Sequence, residues 1–67
     1  MTTSLGEQYP KEQARCRELL VAYKQIGSSG IFGAMHIERV LALADRAVAS
    51  GDVVKMIHAY DAMTKCG

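Results

Sequence analysis

Between Gly30 and Gly51 the chain reads Gly-Ile-Phe-Gly-Ala-Met-His-Ile-Glu-Arg-Val-Leu-Ala-Leu-Ala-Asp-Arg-Ala-Val-Ala-Ser-Gly, its longest apolar-periodic run, with a glycine stop at each end. Ile37, Val40, Leu41, Ala44, Ala47 and Val48 recur at the three- and four-residue intervals of one helix face. Met35, Leu43 and the small residues Gly33, Ala34 and Ala42 widen that stripe beyond what one partner helix covers. Glu38, Arg39, Asp45 and Arg46 mark the more solvated side. The run predicts a central helix over about residues 31–50.

A shorter helix is expected on either side. Pro10 suits a first helical position, where its missing N–H would have no intrahelical partner. Cys16, Leu19, Leu20, Tyr23 and Ile26 then share one face, and Gly27 is a C-terminal stop. This first helix is expected over about residues 10–26. Residues 1–9 are polar apart from Met1, Leu5 and Tyr9, and read as a flexible N-terminal arm. After the central run, Gly51 ends the helix and Asp52 is a good N-cap for the next. Val53, Met56, Ile57, Tyr60 and Met63 form the apolar face of a third helix, about residues 53–66. The expected fold is all-α: a single domain over residues 10–67, folded as an up-down-up three-helix bundle.

Sixty-seven residues bury too little surface to be more than marginally stable alone, so self-association is expected, as a homodimer through the wide stripe of the central helix. The net charge of +1 is spread over both halves, without the basic excess of a dedicated nucleic-acid binder. No apolar run approaches a membrane span, and the first ten residues lack the apolar segment of a secretory signal. Two cysteines are too few for a secreted disulfide framework, so a cytoplasmic protein with free thiols is expected.

Residues 50–63 resemble the turn and second helix of a tetratricopeptide hairpin. The resemblance rests on Ser50-Gly51-Asp52, Ile57, Tyr60 and Ala62-Met63, with the small residues Ala44 and Ala47 where the hairpin's first helix approaches closely. Met56 and Met63 depart from the family's preference for alanine, and no second copy follows. It implies helical-hairpin packing and no peptide groove. Tyr9-Pro10-Lys11-Glu12-Gln13-Ala14-Arg15-Cys16-Arg17-Glu18-Leu19-Leu20 and Gly30-Ile31-Phe32-Gly33-Ala34 resemble short accessory proteins of bacteriophages and prophages. That resemblance implies host-cell cytoplasm and a role in disabling or redirecting a host protein.

Catalytic chemistry is not expected. Cys16, His36, His58 and Cys66 have no metal-ligand spacing, and no Cys/His or carboxylate pair has a sequence reason to meet. With helices 1 and 3 parallel and level, Cys16 and Cys66 are expected more than ~10 Å apart, too far to bridge, with Cys66 a frayed terminal thiol. No cofactor or metal is expected. Gly27, Ser28, Ser29, Gly30 and Gly33 form a glycine loop before a helix N-terminus that can hold an anion. The loop lacks the strand and the Lys-Ser/Thr of a nucleotide-binding loop, so a turn allowing close helix approach is the preferred reading.

The functional expectation is a small non-enzymatic interaction protein, phage-derived, that binds and inhibits or retargets a host bacterial protein. Its expected contact residues are Tyr9, Arg15, Arg17, Tyr23, Phe32 and Met35, aromatic, methionine and arginine side chains of the kind that anchor interfaces. Alternatives are a nucleotide or small-ligand binder using the Gly27–Gly33 loop at a subunit interface, and a nucleic-acid-binding regulator.

Overall fold

A computed structural model describes residues 4–66; residues 1–3 and 67 lie outside the described residues. The chain is all-helical: α1 (Leu5–Ile26), a 3-10 turn (Gly27–Gly30), α2 (Ile31–Ser50) and α3 (Val53–Thr64). Residues 5–50 form one long helical run that bends back on itself at the 3-10 turn. The short α3 then packs against both α1 and α2. No helix among the described residues is long and apolar enough to cross a membrane.

α1 begins five residues before the expected start at Pro10. Ser4 is its N-cap: the backbone there is extended, and the hydroxyl accepts from the Glu7 N–H at 3.3 Å. Glu7 in the first turn complements the positive end of the helix dipole. Pro10 therefore lies inside the helix, where it removes one backbone hydrogen bond. The loss is offset by what the extra turn carries. Tyr9 is 1% exposed, and its hydroxyl donates to the Ala44 carbonyl of α2 at 2.7 Å. Its ring stacks on Tyr60 of α3, with centroids 6.5 Å apart and planes at 29°. The expected arm over residues 1–9 is thus corrected: Leu5–Tyr9 belong to the helix, and residues 1–3 lie outside the described residues.

The α1–α2 turn depends on two glycines. A Cβ on Gly30 would collide with the Tyr23 carbonyl, and one on Gly33 would stand 2.6 Å from the Tyr23 ring. Antiparallel contacts continue down the pair. Lys24 meets Glu38 at 3.7 Å, and Arg17 meets both Asp45 carboxylate oxygens at 3.0 Å. At the next corner Gly51 has φ +70, and the Asp52 carboxylate caps α3 by accepting from the Lys55 N–H. The core joins Tyr9 and Cys16 of α1 to Ile37, Leu41 and Ala44 of α2 and Met63 of α3.

α3 ends at Thr64, short of the expected Cys66, and Lys65 caps it. Cys66 is no frayed thiol: it is 4% exposed, in the same core cluster as Cys16. The expected wide separation of the two cysteines is also overturned, for a register reason. Aligning a helix start at Pro10 with Val53 sets Cys16 level with Ala59. In the structure Cys16 bonds to Met63 and Arg15 reaches Cys66. Starting α1 earlier slides α3 along it and brings Cys66 within one turn of Cys16.

The Tyr9 contacts predict a graded response in denaturant unfolding. Tyr9→Phe keeps the ring and costs about 1 kcal/mol, whereas Tyr9→Ala costs about 3–5 kcal/mol. Equal losses would mean the hydroxyl, not the ring, holds the helices together.

Candidate functional site

The helices form a slab with Cα extents of 38 × 26 × 15 Å. The Cα cylinder of a helix has a radius of ~2.3 Å, and packed helices lie ~8–10 Å apart. A Cα extent of 15 Å thus matches two packed layers, and each of the three helices keeps an open side. The accessible surface is 4699 Å², against about 4,200 Å² for a compact monomer of this mass. Large apolar side chains contribute to this surface. Phe32 is 83% exposed, and Met35, Leu43, Val54 and Ile57 are also open.

Part of this surface is organised. Phe32, His36, Arg39, Leu43 and Ala47 follow one another at helical spacing, so they form a line of mixed polar and apolar character along one flank of α2. At its lower end the line enters a cleft of about 510 Å³ between α2 and α3. Leu43, Ala47, Ala59 and Ala62 make the apolar lining. The alanines matter here, because a methyl in place of a larger side chain leaves the gap between the helices unfilled. Arg46, Ser50, Lys55 and His58 supply the polar rim. No carboxylate lines the cleft, and neither Arg46 nor Lys55 forms an ion pair among the described residues. An apolar trough with an unneutralised cationic rim attracts a group that is apolar on one side and acidic at its edges.

The six contact residues expected from the sequence separate into two sets. Tyr9 is enclosed in the core; burial first, then the Asp45 charge, push its hydroxyl pKa up, so it stays protonated as a donor. Arg15 bonds to Glu12, to the Met63 carbonyl at 2.6 Å and to the Cys66 carbonyl at 3.1 Å. The Glu12 hydrogen bond holds its guanidinium more firmly protonated. Arg15 thus adds a charged donor to the Met63 carbonyl, which also accepts from the Cys66 N–H, and supplies one to the Cys66 carbonyl. Arg17 is engaged with Asp45, and Tyr23 lies under Gly33. Only Phe32 and Met35 present open apolar surface.

The glycine loop has a structural use. Gly30 and Gly33 permit the approach of Tyr23, while Gly27 takes φ +86 to end α1. Ser28 and Ser29 are exposed on the 3-10 turn. The cleft lies at the other end of α2 and includes none of these residues. Among the described residues no group of three or more His, Cys, Asp or Glu is placed to hold a metal.

Sequence reasoning missed the cleft. Arg46, Lys55 and His58 read as a solvated face because their period opposes the apolar stripe. The available signal was the small residues Ala47, Ala59 and Ala62 flanking the tight Gly51-Asp52 corner. No known protein family, curated protein or solved structure matches the chain.

Thermal unfolding separates the structural arginine from the rim. Arg15→Ala loses charged hydrogen bonds across helices and destabilises by about 1–3 kcal/mol. Arg46→Ala and Lys55→Ala stay within about 0.5 kcal/mol of the parent. A rim substitution as costly as Arg15→Ala would assign the rim to the fold.

Proposed function

We propose that this chain is a small, non-enzymatic interaction protein that works by docking a partner protein against α2 and α3. The cleft supports the reading best: its lining is apolar, its rim is cationic, and exposed Arg39 and His36 continue from it along the same flank of α2. A line from Ser50 to His36, short of the α1–α2 corner, spans about 21 Å at 1.5 Å per residue. That length suits an amphipathic helix better than a small molecule, and the rim favours an acidic one. On this reading the partner is a host bacterial protein that the chain inhibits or retargets in the host cytoplasm. The phage-like character of its N-terminal and Gly30–Ala34 segments motivates that part.

We further propose that the working unit is a homodimer of up-down-up three-helix bundles. Ile26, Ile31, Phe32 and Met35 gather exposed apolar surface at the α1–α2 corner, away from the cleft. Covering such a patch is a common reason for self-association. The alternative anion-binding use of the Gly27–Gly33 loop draws less support, since Gly30 and Gly33 already serve helix approach.

Affinity capture from bacterial lysate followed by mass spectrometry tests the partner. The parent chain recovers a defined protein, and Arg46→Glu combined with Lys55→Glu lowers that recovery at least about tenfold, as like charges brought together at a contact do. Recovery unaffected by charge reversal would remove the cleft from the binding surface. Sedimentation at micromolar concentration tests the dimer separately: the parent sediments as a dimer, and Phe32→Glu as a monomer. A monomeric parent contradicts the proposed assembly.

A further inference from the structure

Cys16 and Cys66 come together at the end of α3 although fifty positions separate them in the sequence. Both are buried, Cys16 at 0% exposure in the middle of α1 and Cys66 just beyond α3. The Cys16 thiol donates to the Met63 carbonyl at 3.7 Å, and the Cys66 thiol donates to the Ala62 carbonyl at 3.5 Å. Those carbonyls are consecutive, so both sulfurs rest on the same turn of α3. Each thiol thus gives its one proton to a carbonyl of α3, and the two side chains lie in one buried cluster. Arg15 spans the pair, with Nη1 on the Cys66 carbonyl at 3.1 Å and Nη2 3.9 Å from the Cys16 sulfur. Neither thiol is used by the cleft or by the line along α2.

We propose that Cys16 and Cys66 are an oxidation site, joined into an intramolecular disulfide by exchange with a low-molecular-weight disulfide such as oxidised glutathione. Cys66 attacks first, because it sits in the segment after α3 and needs only local opening to reach solvent. Its thiolate displaces one glutathione thiolate from the oxidant, which leaves with the bonding pair and takes up a proton. Cys16 then loses its proton and attacks the Cys66 sulfur of the mixed disulfide, releasing the second glutathione. The protein loses two protons and two electrons, and one oxidised glutathione becomes two reduced molecules. Burial, and then the neighbouring Cys66, push the Cys16 thiol pKa up, which makes it the poorer first nucleophile and leaves the first attack to Cys66. The bridge ties the middle of α1 to the end of α3. Since α3 forms one wall of the cleft, oxidation fixes that wall in place.

The test exposes the full chain to glutathione mixtures of increasing oxidised fraction, then blocks free thiols and reads intact mass, peptide map and thermal unfolding. The expected product is a monomer-sized chain that has lost two hydrogens and yields a cross-linked peptide containing Cys16 and Cys66. Its Tm rises by about 10 °C or more, because the bridge closes a long loop in the unfolded chain. Reductant reverses the change, and Cys66→Ser abolishes the mass loss and the Tm rise together. Persistent glutathione adducts without a bridge, or chains cross-linked to one another through Cys66, would overturn the proposal.

Discussion

The Tyr9 hydroxyl, donating to the Ala44 carbonyl while its ring stacks on Tyr60, sets the register of the three helices. With that level fixed, Arg17 meets Asp45, Lys24 comes opposite Glu38, and Arg15 reaches the carbonyls at the end of α3. The Arg17 and Lys24 pairs are about half exposed, and such pairs contribute little on their own. They follow the register more than they create it. Burial of an aromatic ring together with its hydroxyl partner is the larger effect. It also explains how α1 tolerates Pro10: the turn before the proline is held by tertiary contact rather than by its own backbone ladder.

Small residues decide where the helices touch and where they do not. Gly30 and Gly33 let α2 approach Tyr23, and Ala44 brings α2 close enough to receive the Tyr9 hydrogen bond. Ala47, Ala59 and Ala62 act oppositely, leaving the lower part of the α2–α3 boundary open. With three helices packed only on one another, no further element among the described residues closes that opening. Exposed apolar surface is therefore a consequence of the architecture, and α2 carries part of it on a flank that ends among cationic side chains. The α1–α3 contact brings Cys16, Arg15 and Cys66 into one cluster at the end of α3.

Much of the helical architecture was legible in the sequence. The three-four spacing of Ile37, Val40, Leu41 and Ala44 marks the buried face of α2, and Gly51-Asp52 marks the α2–α3 corner through familiar cap chemistry. The start of α1 was hidden because two signals competed. Pro10 is a good first residue, whereas Ser4 followed by Glu7 is a good cap, and only the tertiary partners of Tyr9 decide between them. That choice carried through to the cysteines, whose separation depends on helix level. Spacing alone also could not tell Tyr9, Arg15 and Tyr23, which hold the fold, from Phe32 and Met35, which are open. An aromatic or arginine on a short helix suits either use until its partners are known. The cleft was harder still, because it is defined by volume that alanines leave empty.

The account rests on the claim that the cationic cleft and its extension along α2 are the docking surface. Amide chemical-shift mapping with the partner recovered from bacterial lysate tests it most directly. The largest shifts are expected at Leu43, Arg46, Lys55, His58 and Ala62, with smaller ones extending to His36. Shifts confined to the outward face of α1, around Glu7, Ala14, Glu18 and Gln25, would contradict the account and place binding on the opposite side of the molecule.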